Sequence, residues 1–470
     1  MKKLFVTIGV ILLLFSPFSV SAEQDERIPL IKEYVEEALE IHQIPGASLA
    51  IVENGETIYQ EQWGKISDGS AVKADTSMLI GSMSKPITAL AVMLLVEDGK
   101  IKLDEPIQTY LPSFKYQADS STPITVWHLV EQTSGIRQSD GLKVTDEERE
   151  SKGAMIEAVG ELSGVTLSRE PGEHYEYNSA NYLLLGAIIE KVSQQTFSAF
   201  VEQRIFTPLG MIHAAADYET SVENGFVPGF ESWFGKPKSS DGFYDHAGAP
   251  YGYMTSSASD LAKLLTFMLE GGDLLSEASL DLIKALPGDG KTYGYGWHFS
   301  KEEHFPFHGG ATPHFRGEMF FIPEKDYGAV LLTNKYHFTE DAQVSQVMKG
   351  IRSIMDGSAP TPLTVQSPAI QWSIVLVLVL LALLTLFQFF RLKRKKELNQ
   401  KRWFITGSIV LLLSLGFIPV FSSIMRTPWK SVKLFAPDIA LLIDCLIVIL
   451  ALNGAMTLVI TWRKGVRERV

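Results

Sequence analysis

The sequence predicts an α+β body outside a membrane, carried on a tail of three membrane-crossing helices. Three observations lead there. Strand-like runs stand near both ends of the first 355 residues with helix-like stretches between, so one sheet must be assembled from distant chain segments. Three apolar stretches, residues 371–390, 403–424 and 437–462, are each long enough for a helical span of ~20 residues. Charge is divided as well: residues 391–470 hold 14 Lys and Arg against 4 Asp and Glu, while the whole chain of 470 residues carries a net −12.

The elements follow in order. Met1-Lys2-Lys3, an apolar run over residues 4–15, and Val20-Ser21-Ala22 predict a secretory signal peptide over residues 1–22. The exported part, residues 23–355, contains no cysteine, because the single Cys445 lies in the third apolar stretch; its stability must come from a large core. At 333 residues without a tandem repeat, it is expected to divide into two packed subdomains. Residues 28–42 place Ile31, Tyr34, Val35, Ala38 and Leu39 at helical spacing. Runs 47–52 and 57–63 flank Glu53-Asn54-Gly55-Glu56, a hairpin signal. Residues 88–97 read as a helix stopped by Asp98-Gly99, with glycine where a left-handed cap is needed. Residues 181–192 and 258–270 read as amphipathic helices, and 304–321 and 327–332 as strands. Residues 356–370 form a linker rich in Pro, Ser and Thr.

The tail has a direction. Its connections carry seven Lys and Arg (residues 391–402) and three (425–436), and residues 463–470 carry four. The positive-inside rule puts the first connection and the C-terminal tail in the cytoplasm and the body on the extracellular face of a multi-pass membrane protein. Asp444 falls inside the third span, and is expected to reach headgroup water about two turns from Pro437 rather than to pair with another helix. A body this acidic has no basic footprint for nucleic acid.

Ser82-Met83-Ser84-Lys85 sets a hydroxyl and an amine three residues apart, stacked on one face if helical. Pro86 must lie in the first helical turn, so Ser82 stands at the helix start, where free N–H groups can receive an oxyanion. Ser70-Ala71-Val72-Lys73 has the same spacing but follows Asp68-Gly69 in a polar stretch with no helix to orient it. On these residues alone Ser82 reads equally as a nucleophile or a helix cap. Lys85 can take a proton only if its pKa falls by ~3 units, at a cost of about 4 kcal/mol, which calls for burial or a cationic neighbour. His298, His304, His308 and His314 invite a metal, but Pro306 and the flanking phenylalanines make their segment a strand, where residues four apart stand ~13 Å from each other. Neither a metal nor a cofactor is expected, and no glycine-rich phosphate loop is found.

Three short elements in order then carry a resemblance: Ser82 with Lys85, Tyr177-Asn178-Ser179, and His308-Gly309-Gly310. Ile44-Pro45-Gly46-Ala47, Thr133-Ser134-Gly135, Thr255-Ser256-Ser257 and Tyr293-Gly294-Tyr295-Gly296-Trp297 add to it. Over residues 28–355 the chain resembles the serine β-lactamase and penicillin-binding-protein-like family, in its class C and D,D-peptidase branch. The resemblance implies an antiparallel sheet with flanking helices beside a helical subdomain. It implies that Ser82 forms an acyl-enzyme, that Lys85 and Tyr177 share the acid–base work with a phenol pKa lowered by cations, and that the N–H groups of Ser82 and Ala311 form the oxyanion hole. Gly310 would let a substrate backbone approach, and His308 would supply positive or hydrogen-bonding character where many relatives have lysine. Ser179 departs from the usual asparagine, Gln132 from a frequent histidine, and His314 from a frequent glycine, which would narrow the cleft. The expected activity is acyl transfer on a small-molecule or peptidoglycan-type substrate: a cell-envelope D-amino-acid peptide or ester, or a β-lactam. The contrasting expectation, resting on Ser179 and on more spans than an anchor needs, is a non-hydrolytic envelope or antibiotic receptor.

Overall fold

In the computed structural model, which describes residues 25–467 apart from 289 and 366, seven strands make one antiparallel sheet. They are β1 (Gly46–Glu53), β2 (Glu56–Gly64), β3 (Tyr293–Gly294), β4 (Trp297–Phe299), β5 (Pro306–Thr312), β6 (Phe315–Ile322) and β7 (Tyr327–Thr333), in the order β2-β1-β7-β6-β5-β4-β3. The first hairpin turns on Asn54 and Gly55, whose φ of 51° and 76° match the twist of the strands they join. Its inner strand pairs with the last one, Ala47 opposite Thr333, which closes the sheet across some 280 residues of sequence. The strand expected over 304–321 is two strands folded back at Pro313-His314, and His304 lies off the sheet in a left-handed conformation.

Two apolar clusters cover the two faces. Helices α1 (Arg27–Ile41) and α5 (Ala342–Met355) pack Ile31, Val35, Met348 and Ile351 against Leu49, Phe320 and Leu331. On the other face α2 (Ser84–Glu97), α3 (Ser179–Ser193) and α4 (Ala258–Glu270) join Val52, Phe321, Val330 and Leu332 to the helical subdomain. The central strands β6 and β7 are buried along their whole length because both faces are covered. Helix α2 begins four residues before the expected Thr88, directly after a 3-10 turn over Gly81–Met83.

The tail contains α6 (Ala369–Arg394), α7 (Gln400–Met425), α8 (Trp429–Phe435) and α9 (Pro437–Arg467). Helices α6, α7 and α9 have stretches of mean hydropathy 2.7, 2.3 and 2.4, and are long and apolar enough to cross a membrane. Body and tail meet at the N-terminal ends of α6 and α9, the C-terminal end of α7, and α8. The Lys430 ammonium donates to the carbonyls of Thr145 (2.8 Å) and Lys143 (3.1 Å) and pairs with Glu147 (2.6 Å). Buried Asp438 accepts from His337 Nε2 (2.9 Å), the Phe234 N–H (2.9 Å) and Gln371 (3.3 Å). The tail carboxylate that docks on the body is therefore Asp438, while Asp444 is half-buried two turns further along α9. The expected signal peptide and residues 468–470 lie outside the described residues.

Candidate active site

The turn before α2 is built by backbone meeting backbone. A side chain at Gly310 would sit 1.8 Å from the Ile80 carbonyl oxygen, and one at Gly81 would sit 2.3 Å from the Ala311 nitrogen. Strand β5 thus presses directly on the turn that carries Ser82, with Gly81 in the left-handed region at φ 58°. The missing side chain at Gly310 thus makes room for the nucleophile turn, a demand that the sequence did not show. Ser84 closes the turn by donating to the Gly81 carbonyl (2.8 Å). Ser82 and Ala311 both line the cavity that opens above them, about 680 Å³ in volume.

Lys85 is fully buried, and its Nζ stands 2.9 Å from Ser82 Oγ, 2.6 Å from the Tyr251 carbonyl and 3.4 Å from Ser179 Oγ. Burial brings its pKa down to about 7, with the carboxylate of Asp146 opposing the shift. Of the two routes to a neutral lysine, the fold uses burial. A neutral amine has two donors and one lone pair. Donated to Tyr251 and Ser179, those hydrogens leave the lone pair facing the Ser82 hydroxyl.

Tyr177 comes to the same point. The Lys85 ammonium lies 4.9 Å from its ring centroid, and the ring stacks on His298 at 5.6 Å. Its pKa is raised by burial, which outweighs its contact with Ser82 and the charge of Arg316, so the expectation of a phenol made acidic by cations is corrected. Tyr177 stands in the site as a neutral hydroxyl. His308 needs a similar correction. It is buried beside His298 and Tyr293, its Nδ1–H donates to the Gly309 carbonyl (2.7 Å), and burial with the nearby positive groups holds its pKa well below the usual imidazole value. It supplies no positive charge. His314 turns instead to Ser240 (2.8 Å), buried, with its pKa lowered to about 4, and does not line the cavity it was expected to narrow. The decoy Ser70 is exposed and bonded to Asp68. Among the described residues no cluster of three His, Cys, Asp or Glu is placed to hold a metal ion.

The second motif is held from behind. Asn178 caps α3 through the Ala180 N–H (3.0 Å) and donates to the carbonyls of Ile136 and Arg137. Gln132, at a left-handed φ of 61°, accepts from the Asn178 N–H (3.0 Å) and the Asn181 amide (2.6 Å); Ser134 donates to Asn181 Oδ1 (2.6 Å). Gln132 therefore orients the segment that presents Tyr177 and Ser179. Sequence reasoning missed Tyr251, whose carbonyl receives Lys85, and Asp146, which accepts from the Tyr253 hydroxyl (2.6 Å) and has its pKa raised to about 6 by burial. A backbone carbonyl leaves no trace in side-chain identity, and Asp146 sits 61 residues from Lys85 with no motif around it.

Comparisons with known proteins bear on the fold that carries this arrangement. Protein flp of Staphylococcus aureus is 29% identical over 313 residues, 65% of this chain and 62% of that protein, so the chain spans about three fifths of the length of the curated relatives it matches. The octameric penicillin-binding protein homologue from Pyrococcus abyssi superposes with a TM-score of 0.62 at 25% identity, over 71% of this chain and 78% of that one. The beta-lactamase/D-alanine carboxypeptidase from Yersinia pestis shares the fold, with a TM-score of 0.57 at 18% identity over 70% and 97% of the two chains. Residues 31–347, which hold the sheet and all three motifs, match the family model described as Beta-lactamase, and the chain belongs to that family with its serine-hydrolase fold.

Proposed function

We propose that this chain is a membrane-anchored serine hydrolase whose body faces the cell exterior and whose substrates are cell-envelope D-amino-acid peptides or esters, or β-lactams. The observation that carries the proposal is the neutral-capable amine of Lys85, 2.9 Å from Ser82 Oγ inside a formed cleft. Ser82 Oγ attacks the substrate carbonyl while its proton passes to Lys85 Nζ. The N–H groups of Ser82 and Ala311 receive the oxyanion. The bond from the carbonyl carbon to the leaving oxygen or nitrogen then breaks, and the leaving group takes the proton from Lys85, with the Tyr177 hydroxyl as relay. Water attacks the acyl-enzyme, gives a proton to Lys85, and frees the acid as Ser82 recovers its hydrogen.

Relatives described as a penicillin-binding protein homologue and as a D-alanine carboxypeptidase support the substrate class. The basic connection over residues 391–402, at the end of the helices away from the body, supports the orientation. One observation favours the receptor reading: Ser179 offers a single hydroxyl where an amide would offer two donors and an acceptor. The test is covalent labelling of the full chain with a fluorophosphonate and a fluorescent penicillin. Labelling of wild type and its loss in Ser82→Ala is expected. Absence of labelling of wild type from pH 6 to 9 would overturn the hydrolase and leave the receptor.

A further inference from the structure

The cavity above Ser82 has two walls of different origin. One holds Ser82, Tyr177, Ser179 and Ala311. The other is made by the tail: Ile370 in the first turn of α6, Phe421 and Met425 in the last turns of α7, Phe435 of α8, and Ile439 in the first turn of α9. Apart from Phe435, these lie at the body-side ends of the three helices able to cross a membrane, so on the membrane-anchored reading above the cleft opens where hydrocarbon meets headgroups. The pose is not a loose contact. Asp438 is buried with four donors around it, Lys430 makes three contacts to residues 143–147, and the rings of Tyr336 and Phe435 stand 6.0 Å apart.

A soluble wall peptide has little to gain from an apolar wall, because its polar groups would lose water without finding partners. A hydrocarbon chain gains in proportion to the area it covers. Ile370 and Met425 are each more than half exposed in the cleft mouth, apolar surface still open to such a chain. We infer that the substrate is a membrane-resident amphiphile, an ester or amide whose carbonyl reaches Ser82 while its hydrocarbon chain lies against the outer ends of the three spans. This rests on the hydrolase reading above and names its substrate class: either the acyl part or the leaving part carries the chain, and the same two-step transfer through Ser82 applies.

The full chain in phospholipid nanodiscs is assayed with p-nitrophenyl acetate and p-nitrophenyl decanoate, beside labelling by a short-chain fluorophosphonate. In wild type the decanoate is expected to have the higher kcat/KM. Met425→Ser with Phe435→Ser should lower the decanoate-to-acetate ratio about tenfold, from two apolar contacts removed. Ile370→Ser, on a different helix, should lower it in the same direction, which guards against a fault in folding of α7 or α8. Because all forms sit in the same lipid, partitioning of the long ester cancels from the comparison. A ratio unchanged in both variants, with Ser82 still labelled, overturns the amphiphile and leaves the hydrolase standing. If neither ester is turned over and no label is taken up, the hydrolase reading falls and the amphiphile with it.

Discussion

Lys85 provides the sharpest test, because one buried amine sets both a rate and a stability. With a pKa of about 7 instead of 10.5, it is half neutral near pH 7 and about 1% neutral at pH 5. The second-order rate of Ser82 acylation by a fluorophosphonate should therefore rise with pH and level off above ~8. The fall on the acid side should be shallower than tenfold per pH unit below pH 6, since Asp146, with a pKa of about 6, is neutralised there and stops holding the proton on Lys85. Asp146→Asn should move the whole limb to lower pH. Stability carries the opposite sign. Between pH 7 and 10.5 the unfolded chain holds a proton on this amine that the folded chain does not, so its contribution to stability improves as pH rises through that window. Below pH 7 the full penalty is present, ~5 kcal/mol for a shift from 10.5 to about 7. Lys85→Met removes it but leaves the Tyr251 carbonyl without its donor, at about 1–3 kcal/mol. The variant should be inactive yet melt higher than wild type at pH 6, with the gain gone by pH 10. An acylation rate flat from pH 5 to 8, a midpoint above 9, or a lower melting temperature for Lys85→Met at pH 6 would refute the reasoning.

Other expectations follow from single contacts. His308→Gln should leave the acidic limb near pH 7 in place, because the imidazole is already neutral there; loss of that limb in a pH–rate profile would return a charge to His308. Gln132→Ala strips the acceptor from two buried donors, Asn178 N–H and the Asn181 amide, and should cost roughly 2–4 kcal/mol in denaturant unfolding while slowing Ser82 acylation. Unfolding within 0.5 kcal/mol of wild type, a difference of about twofold in the equilibrium, would remove Gln132 from its anchoring role. Asp438→Ala leaves His337 and the Phe234 N–H facing no carboxylate, and amide hydrogen exchange at Phe234 should quicken by ~10-fold or more as the body loosens from the tail. Unchanged exchange there would mean that the docking rests on other contacts.

How much was readable in the chain differs by feature. Asn54-Gly55 announced the first hairpin, and the runs around β6 and β7 announced strands, because turn conformation and alternation are local properties. The Pro313-His314 reversal was hidden, since Thr312 and Phe315, residues at home in a strand, stand directly on either side of it. In the site, Pro86 distinguished Ser82-Met83-Ser84-Lys85 from the exposed Ser70-Ala71-Val72-Lys73. The charge states of His308 and Tyr177 were misread for the same reason: each is buried in a neighbourhood that brings in distant segments, Lys85 beside His308 and Ser82 with Arg316 beside Tyr177.

The sequence by itself determined the first hairpin turn, which three stretches are long and apolar enough to cross a bilayer, how the positive charges divide among their connections, and which serine begins a helix. Backbone preference, helix length and charge count act over a few residues and need no knowledge of the rest. Only the tertiary structure decided that Lys85 loses its proton near neutrality, that His308 stays uncharged, and that the cleft shares a wall with the membrane tail. Desolvation and close packing are properties of everything within a few ångströms, and that neighbourhood exists only once Tyr251, Asp146, strand β5 and the body-side ends of the tail helices have been folded around Ser82.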